Sequence, residues 1–417
     1  MLPQTNPNTP DLVTVLGIYP IRRRLLQYLD TRNFLNLYQT SWLIRQNFRT
    51  NEWNINAKLT RFFSNPTAFR SMLGRSNALI SGSFALQFFE RVVWPESNLD
   101  IMIQEGAGLE EMKGFLIDKE RYRLDSETEW LNHGGDDYPL LSVTKCQTYL
   151  AEPTGAGSNR ASERKVQLLI MSGPPVQAIL VCCYTTALIN FISWNKAYSI
   201  FPRATFLLHE TVPLAPVYEV VGSHHAKWSK RGWRLRTKAV YTSGADIEQP
   251  LGYLGRNGDR RIGDSDTWVI RLDGATLVDK SASFAPDSVL EYSGFHVGDL
   301  DLQARDLYNM EDWVSVRSSL AVSITAELQH SHSLRYQYTS GNGQDEILFW
   351  STLYRITNRH TLGQLCKMKD SEIEAIYGNL PPRELGDVIE NTPFDHPEGW
   401  DYLDDLIPQL YQNIGIE

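Results

Sequence analysis

The stretch Ile80 to Gln104, ISGSFALQFFERVVWPESNLDIMIQ, holds the residue types and spacing best suited to binding a phosphate and a hard cation. An apolar strand runs into Gly82-Ser83 and then a helix, and small residues at a helix start leave backbone N–H groups open to an anion. The next strand carries Asn98 and Asp100. Period-two alternation puts these two on one face, with Leu99 and Ile101 on the other, so both can address one metal site. A plainer reading makes Gly82-Ser83 an ordinary strand-to-helix turn with a serine cap.

The order strand, Gly-Ser, helix, acidic strand resembles the DNA polymerase beta-like nucleotidyltransferase superfamily. The resemblance implies that Gly82 and Ser83 hold nucleotide phosphates. It also implies two carboxylates spaced i, i+2 and a third on a later strand, together binding two Mg²⁺ ions that neutralise the attacking and leaving oxygens. Here the first of these positions is Asn98, and the third, on the strand Lys165 to Met171, is Gln167. Amides offer a carbonyl oxygen but no charge, and neither can act as a base. Asp100 remains as the metal-ligand candidate. Glu96, and Asp136 or Asp137 in the HGGDDYP loop, are replacements without the family's spacing. The nucleotide-binding set is therefore Gly82, Ser83, Asn98, Asp100 and Gln167, with no catalytic residue and no resident cofactor expected. The alternative is an active or nucleotide-binding transferase that uses Asp100, Mg²⁺ and a nucleoside triphosphate.

A second candidate is Lys227 to Lys238, KWSKRGWRLRTK, with six basic residues around Trp228 and Trp233. Cations for phosphate and aromatics for base stacking suit single-stranded nucleic acid. The competing reading, preferred because the chain carries a net charge of -9, is a solvated basic segment anchored to the core by its tryptophans. Nucleic acid is accordingly not an expected partner. Adjacent His224 and His225 make a poor chelating pair and read as surface loop. His330 and His332 have i, i+2 spacing without an evident third ligand. Cys182-Cys183 falls in an apolar helix, where thiols are inert.

The elements that must position these residues begin with a helical module. Pro20 sits in a first turn, with Ile21, Leu25, Tyr28 and Leu29 at helical spacing, and Asp30 to Asn33 makes a turn. Phe34, Leu37 and Tyr38 form a second apolar face, and Ser41 caps a third helix carrying Trp42, Leu43 and Ile44. The residues Pro20, Leu26, Tyr28, Leu29, Asp30, Leu35, Leu37, Thr40, Ser41 and Arg45 resemble an F-box. The resemblance implies partner binding through Pro20, Leu26, Leu29, Leu35 and Leu37, the partner being the adaptor subunit of a cullin-RING ubiquitin ligase. The other reading is a plain helical extension packed on the main domain. Through Asn195 to Phe206, NKAYSIFPRATF, the chain also resembles a set of fungal proteins. They combine an F-box-like start with a degenerate nucleotidyltransferase-like core and carry no assigned activity.

The chain of 417 residues exceeds the size of one ordinary core. The pattern predicts an α+β protein in three parts. These are an F-box-like helical module over 11–50, a nucleotidyltransferase-like α/β domain with a mixed sheet over 56–240, and a C-terminal α+β region over 241–417. Within the second part, strands are expected at Asn77 to Ser81, Leu99 to Ile103, Leu140 to Tyr149, Lys165 to Met171 and Ala204 to Leu208, and a hairpin loop at Pro153 to Asn159. A single buried helix is expected over Val176 to Trp194. The third part carries alternating runs such as Trp268 to Leu272 and returns to helix at Gln344. With 42% hydrophobic and 21% charged residues the chain is not of the disordered class. Four scattered cysteines point to a reducing compartment. The polar, proline-rich start lacks a secretory pattern, and no stretch is apolar for long enough to span a bilayer. The expectation is an intracellular protein, cytoplasmic or nuclear, with no membrane partner.

Overall fold

The computed structural model describes residues 11–129, 143–152, 164–214, 219–236, 254, 258–278, 284–298, 322–377, 392 and 394–414. It begins with α1 (Leu12–Gly17), α2 (Tyr19–Leu26), α3 (Thr31–Thr40) and α4 (Trp42–Glu52). Asp11 and Asp30 cap α1 and α3, each accepting a backbone N–H at 2.7 Å. There are four helices where three were expected, because Ile18 takes up extended backbone and separates α1 from α2. Ser41 stands at the start of α4, but its side chain makes no capping bond.

The buried side of this module is set by Phe34 and not by the α2 face read from the spacing. Phe34 is fully buried, stacks on Phe48 at 4.9 Å, meets the edge of Trp53 at 5.3 Å and lies under the Arg91 guanidinium at 3.7 Å. Leu26, Leu29, Leu35 and Leu37 are half-buried against the same cluster. Ile21, Leu25, Tyr28, Trp42 and Leu43 instead face outward, Tyr28 at 70% exposure and Trp42 at 66%. Helical spacing allows either face to be inner, and the aromatic contacts with the body of the protein decide between them. Thr31 donates to Glu90 at 3.0 Å and Arg32 to the Leu207 carbonyl at 3.1 Å. The module thereby shares one apolar cluster with Ile80, Phe88, Leu99 and Ile101.

Next come α5 (Ile55–Leu59) and α6 (Pro66–Arg75), capped by Asn54 and Asn65. The central run is β1 (Leu79–Ser81), α7 (Gly82–Glu90), β2 (Leu99–Gln104), α8 (Ala107–Gly114), β3 (Tyr122–Glu129), β4 (Val143–Ala151), β5 (Lys165–Met171) and α9 (Pro175–Cys182). It is followed by β6 (Asn190–Ile192), β7 (Lys196–Ser199), β8 (Glu210–Thr211), α10 (Glu219–Lys230), β9 (Arg234–Leu235), β10 (Gly258–Arg261) and β11 (Trp268–Arg271). Eight strands form one sheet in the order β11-β7-β6-β1-β2-β5-β4-β3. The sheet is mixed, since β2 and β5 are parallel and β2 and β1 antiparallel. Its final strand, β11, comes from beyond residue 240 and pairs Val269 with Tyr198. The protein is thus α+β with a mixed multi-stranded sheet.

Two expected elements are corrected. The helix read over Val176 to Trp194 stops at Cys182, and its second half is a 3₁₀ turn at Thr186–Leu188 followed by β6. The β-branched pair Thr185-Thr186 is the cause, with Thr185 Oγ1 donating to the Val212 carbonyl at 3.1 Å instead of continuing a helix. The strand read over Ala204 to Leu208 is a π-helical turn, Arg203–Leu207, closed by Leu208 N–H on the Arg203 carbonyl at 3.1 Å. The loop Pro153 to Asn159 lies outside the described residues, but the antiparallel pairing of β4 with β5 agrees with a hairpin.

Farther on, the strands Gly294–Gly298 and Ser323–Thr325 join β10 in a second sheet. The helix Gln344–Leu365 packs on the helix Leu406–Ile414 through Phe349 and Tyr411, stacked at 3.8 Å. Among the described residues no helix is long and apolar enough to cross a membrane.

Candidate functional site

The backbone turns at Gly82 with φ 66°, a left-handed conformation that glycine adopts without cost. A Cβ at that position would collide with the Asp100 carboxylate, so the strand-to-helix turn and the acidic strand require glycine there. The residue that caps α7 is Ser81, whose side chain makes no capping bond, and Ser83 lies inside the first helical turn. Ser83 is therefore not the serine cap of the plainer sequence reading.

Sheet pairing assembles the rest. Ser81 lies opposite Asp100 across β1 and β2, and Asp100 lies opposite Gln167 across β2 and β5. Asn98 precedes β2 by one residue and donates from Nδ2 to Gln167 Oε1 at 2.9 Å. Gln167 Nε2 in turn donates to Thr148 Oγ1 at 3.2 Å. Gly82, Ser83, Asn98, Asp100 and Gln167, though scattered along the sequence, thus line one cavity of about 280 Å³.

The same cavity is walled by residues that sequence reading placed elsewhere. From α10 and the turn after it come Lys227, Trp228 and Arg231, and from the loop before β2 comes Glu96. Arg231 donates to Glu96 at 2.5 Å, and its guanidinium lies 3.9 Å from the Trp94 ring. Trp228 is buried and donates Nε1–H to the Tyr184 hydroxyl at 2.5 Å. Trp233 is buried as well and donates to the Thr205 carbonyl at 2.8 Å. Both indoles of the basic segment are committed to the core, and base stacking on them would require their extraction. The basic-aromatic pattern marked this segment, but nothing local to it showed that Lys227 and Arg231 face Asp100.

Burial pushes the Asp100 carboxyl up to about 6, while the charges of Lys227 and Lys165 pull it partway back. Lys227 is held below the ordinary lysine range by partial desolvation and by Arg231, against the pull of Asp100 and Glu96. Among the described residues no group of three or more His, Cys, Asp or Glu is placed to hold a metal. Glu96 is engaged by Arg231, and Asp136 and Asp137 lie outside the described residues.

The histidine readings change. His225 belongs to α10, is buried and meets Tyr184 edge-on at 5.4 Å; it is not on a surface loop. His332 is buried and shares a 3.1 Å hydrogen bond with His396, with His330 at 5.4 Å between ring centres. Cys183 falls just past the end of α9, and burial raises its thiol far above the reactive range. Set against protein-family models, curated proteins and solved structures, the chain matches none of them.

Proposed function

We propose that the protein is a non-catalytic interaction protein: an F-box-like adaptor carrying a pseudo-nucleotidyltransferase domain. The observation that carries this reading is the Asn98–Gln167 hydrogen bond. Two positions that the resemblance assigns to metal-binding carboxylates hold neutral amides, and these are bonded to each other. One half-buried carboxylate, Asp100, is left to face Lys227, and desolvation raises its affinity for protons. Paired divalent cations need several charged oxygen ligands to offset the loss of their hydration. A single carboxylate competing with a lysine ammonium falls short of that.

The docking part rests on the outward side of the N-terminal helices. Phe34 and Phe48 tie the module to the core, while Ile21, Tyr28, Trp42 and Leu43 are left exposed. Large apolar side chains held outward on a helical module suit a protein partner, and the F-box resemblance names the ubiquitin-ligase adaptor. Co-expression of the full chain with that adaptor tests this half, with a stable complex expected and two separately eluting proteins counting against it. Incubation with nucleoside triphosphates and Mg²⁺ tests the other half. No transfer product is expected, and turnover abolished by Asp100→Ala would establish the transferase reading in its place.

A further inference from the structure

We infer that the segment 394–402 is an acid-released strap, closed over the turn at 331–334 and the helix Gln344–Leu365 by a hydrogen bond between His332 and His396. The strap is independent of the Gly82 cavity and of the docking reading.

Its far end is anchored by groups other than histidine. Leu403 N–H donates to the Ser333 carbonyl at 2.8 Å, and Asp404 accepts the Arg335 N–H at 2.8 Å and the Tyr338 hydroxyl at 3.0 Å. Ahead of that anchor the contacts converge on His332, which is 2% exposed. Trp400 donates Nε1–H to the His332 carbonyl at 2.8 Å, and the Phe394 ring lies 4.4 Å from the imidazole. His396 stacks on Trp400 at 4.8 Å with the planes 10° apart and shares a 3.0 Å hydrogen bond with the Tyr402 hydroxyl through Nδ1. Through Nε2 it meets His332 Nδ1 at 3.1 Å. Under the strap, Trp400, Phe394 and Tyr402 pack with Leu365 and with Ile373 and Ile376 of the helix Asp370–Tyr377. Lifting the strap uncovers this apolar surface.

A bond between two ring nitrogens requires one proton between them. Neutral and singly charged pairs supply it, but when both rings are cationic both facing nitrogens carry protons and repel. The surrounding charges favour the closed form near neutral pH. Burial, with the charges of His332 and His330, holds His396 below the ordinary histidine value of 6.5, against the pull of Asp395 on its own segment. Asp401 lies 3.5 Å from His360 of the helix Gln344–Leu365. In the unfolded chain the His396 ring takes up its proton near 6.5, and in the folded chain only at lower pH. The hold of the pair is therefore full above 6.5 and is lost as pH falls through the folded value.

Hydrogen–deuterium exchange of the full chain at pH 7.5 and pH 5, normalised for the intrinsic effect of pH, tests the strap. Exchange over 394–402 is expected to be at least tenfold faster at pH 5, with the helix Gln344–Leu365 unchanged. His396→Gln removes the titrating ring and should abolish the pH dependence at whatever protection it retains. His330 is exposed, so His330→Gln leaves the core intact, and by removing a neighbouring cation it should move the opening to higher pH. Equal protection of 394–402 at the two pH values would overturn the inference, as would opening in which the helix takes part or a pH dependence that survives in His396→Gln. So would an opening pH that stays or falls in His330→Gln, or protection at pH 7.5 that EDTA removes and Zn²⁺ restores, which would make the pair a metal clamp.

Discussion

At the scale of single residues, the proposed reading of the site turns on Asn98 and Gln167. Asn98 donates to Gln167, and Gln167 donates in turn to Thr148, so the two amides are held without any ion. Restoring charge should reverse this. The double change Asn98→Asp with Gln167→Asp places two carboxylates beside Asp100 and should strengthen Mg²⁺ binding over that of the natural chain, detectable as heat on titration. Without the ion the same variant should lose about 1–3 kcal/mol of stability, since a part-buried hydrogen bond is exchanged for like-charge repulsion. A variant that binds no Mg²⁺ would mean that the strand geometry, and not only ligand charge, has departed from a metal site.

Glu346 offers a second test at this scale. It is 1% exposed and accepts hydrogen bonds from Trp350 Nε1 at 2.8 Å and the Tyr411 hydroxyl at 2.9 Å. Burial nevertheless pushes its carboxyl from 4.5 to about 7. The folded state therefore holds a proton that the unfolded chain has released between those values. Stability from this group is fully present below pH 4.5, falls as pH rises toward 7 and is flat beyond, a change on the order of 3 kcal/mol. Asp100 acts in the same direction between 3.8 and about 6. Thermal midpoints measured from pH 4.5 to 8 should fall in the natural chain and fall less in Glu346→Gln, which cannot ionise. Equal slopes in the two proteins would contradict the assignment.

At the scale of elements, the sequence pattern succeeded where caps and periodicity are local. The run β1, α7, β2 was readable in ISGSFALQFFERVVWPESNLDI, and the helix beginning at Gln344 was placed to the residue. It failed between Cys182 and Asn190, where a uniformly apolar composition concealed a switch from helix to strand. Short apolar runs support either state, and here the side-chain bond of Thr185 to the Val212 carbonyl decided it. The junction between α3 and the body is a further element-scale commitment. Phe34→Ala should cost about 3–5 kcal/mol, because it removes the ring that Phe48, Trp53 and Arg91 enclose. Urea unfolding of the variant should show that loss, and limited proteolysis should cut first within residues 11–50. Uniform protection of that segment would show that the helices hold on without their anchor.

At the scale of the whole molecule, the N-terminal helices and the strand β11 are brought onto one body. Phe89 touches both Phe206 and Trp268, at 5.4 and 5.0 Å between ring centres. Trp53 meets Trp268 at 5.5 Å and so links the N-terminal module to the far edge of the sheet. A docking module fixed in this way would hold a bound partner at a set orientation to the cavity. Substituting Tyr28→Ser and Trp42→Ser should change stability by less than about 1 kcal/mol, since both rings are exposed. It should abolish capture of the ubiquitin-ligase adaptor in co-purification. Undiminished capture would move the docking surface elsewhere, and a large loss of stability would show that these rings serve the fold.

The amino-acid sequence by itself determined the order of elements around Gly82, the neutral side chains at 98 and 167, and the helical start, but not which apolar face of those helices is inner. These follow from backbone freedom at glycine, from capping oxygens and from periodicities of two and 3.6, all of which act over a few residues. Tertiary structure alone decided that Arg231 meets Glu96 across 135 residues, that Gln167 meets Asn98 across 69, and that Lys227 faces the same cavity. Those meetings depend on which strands pair and on where α10 comes to rest. Charge and hydrogen bonding act through space, and a local run of residues carries no record of the neighbour that folding will deliver.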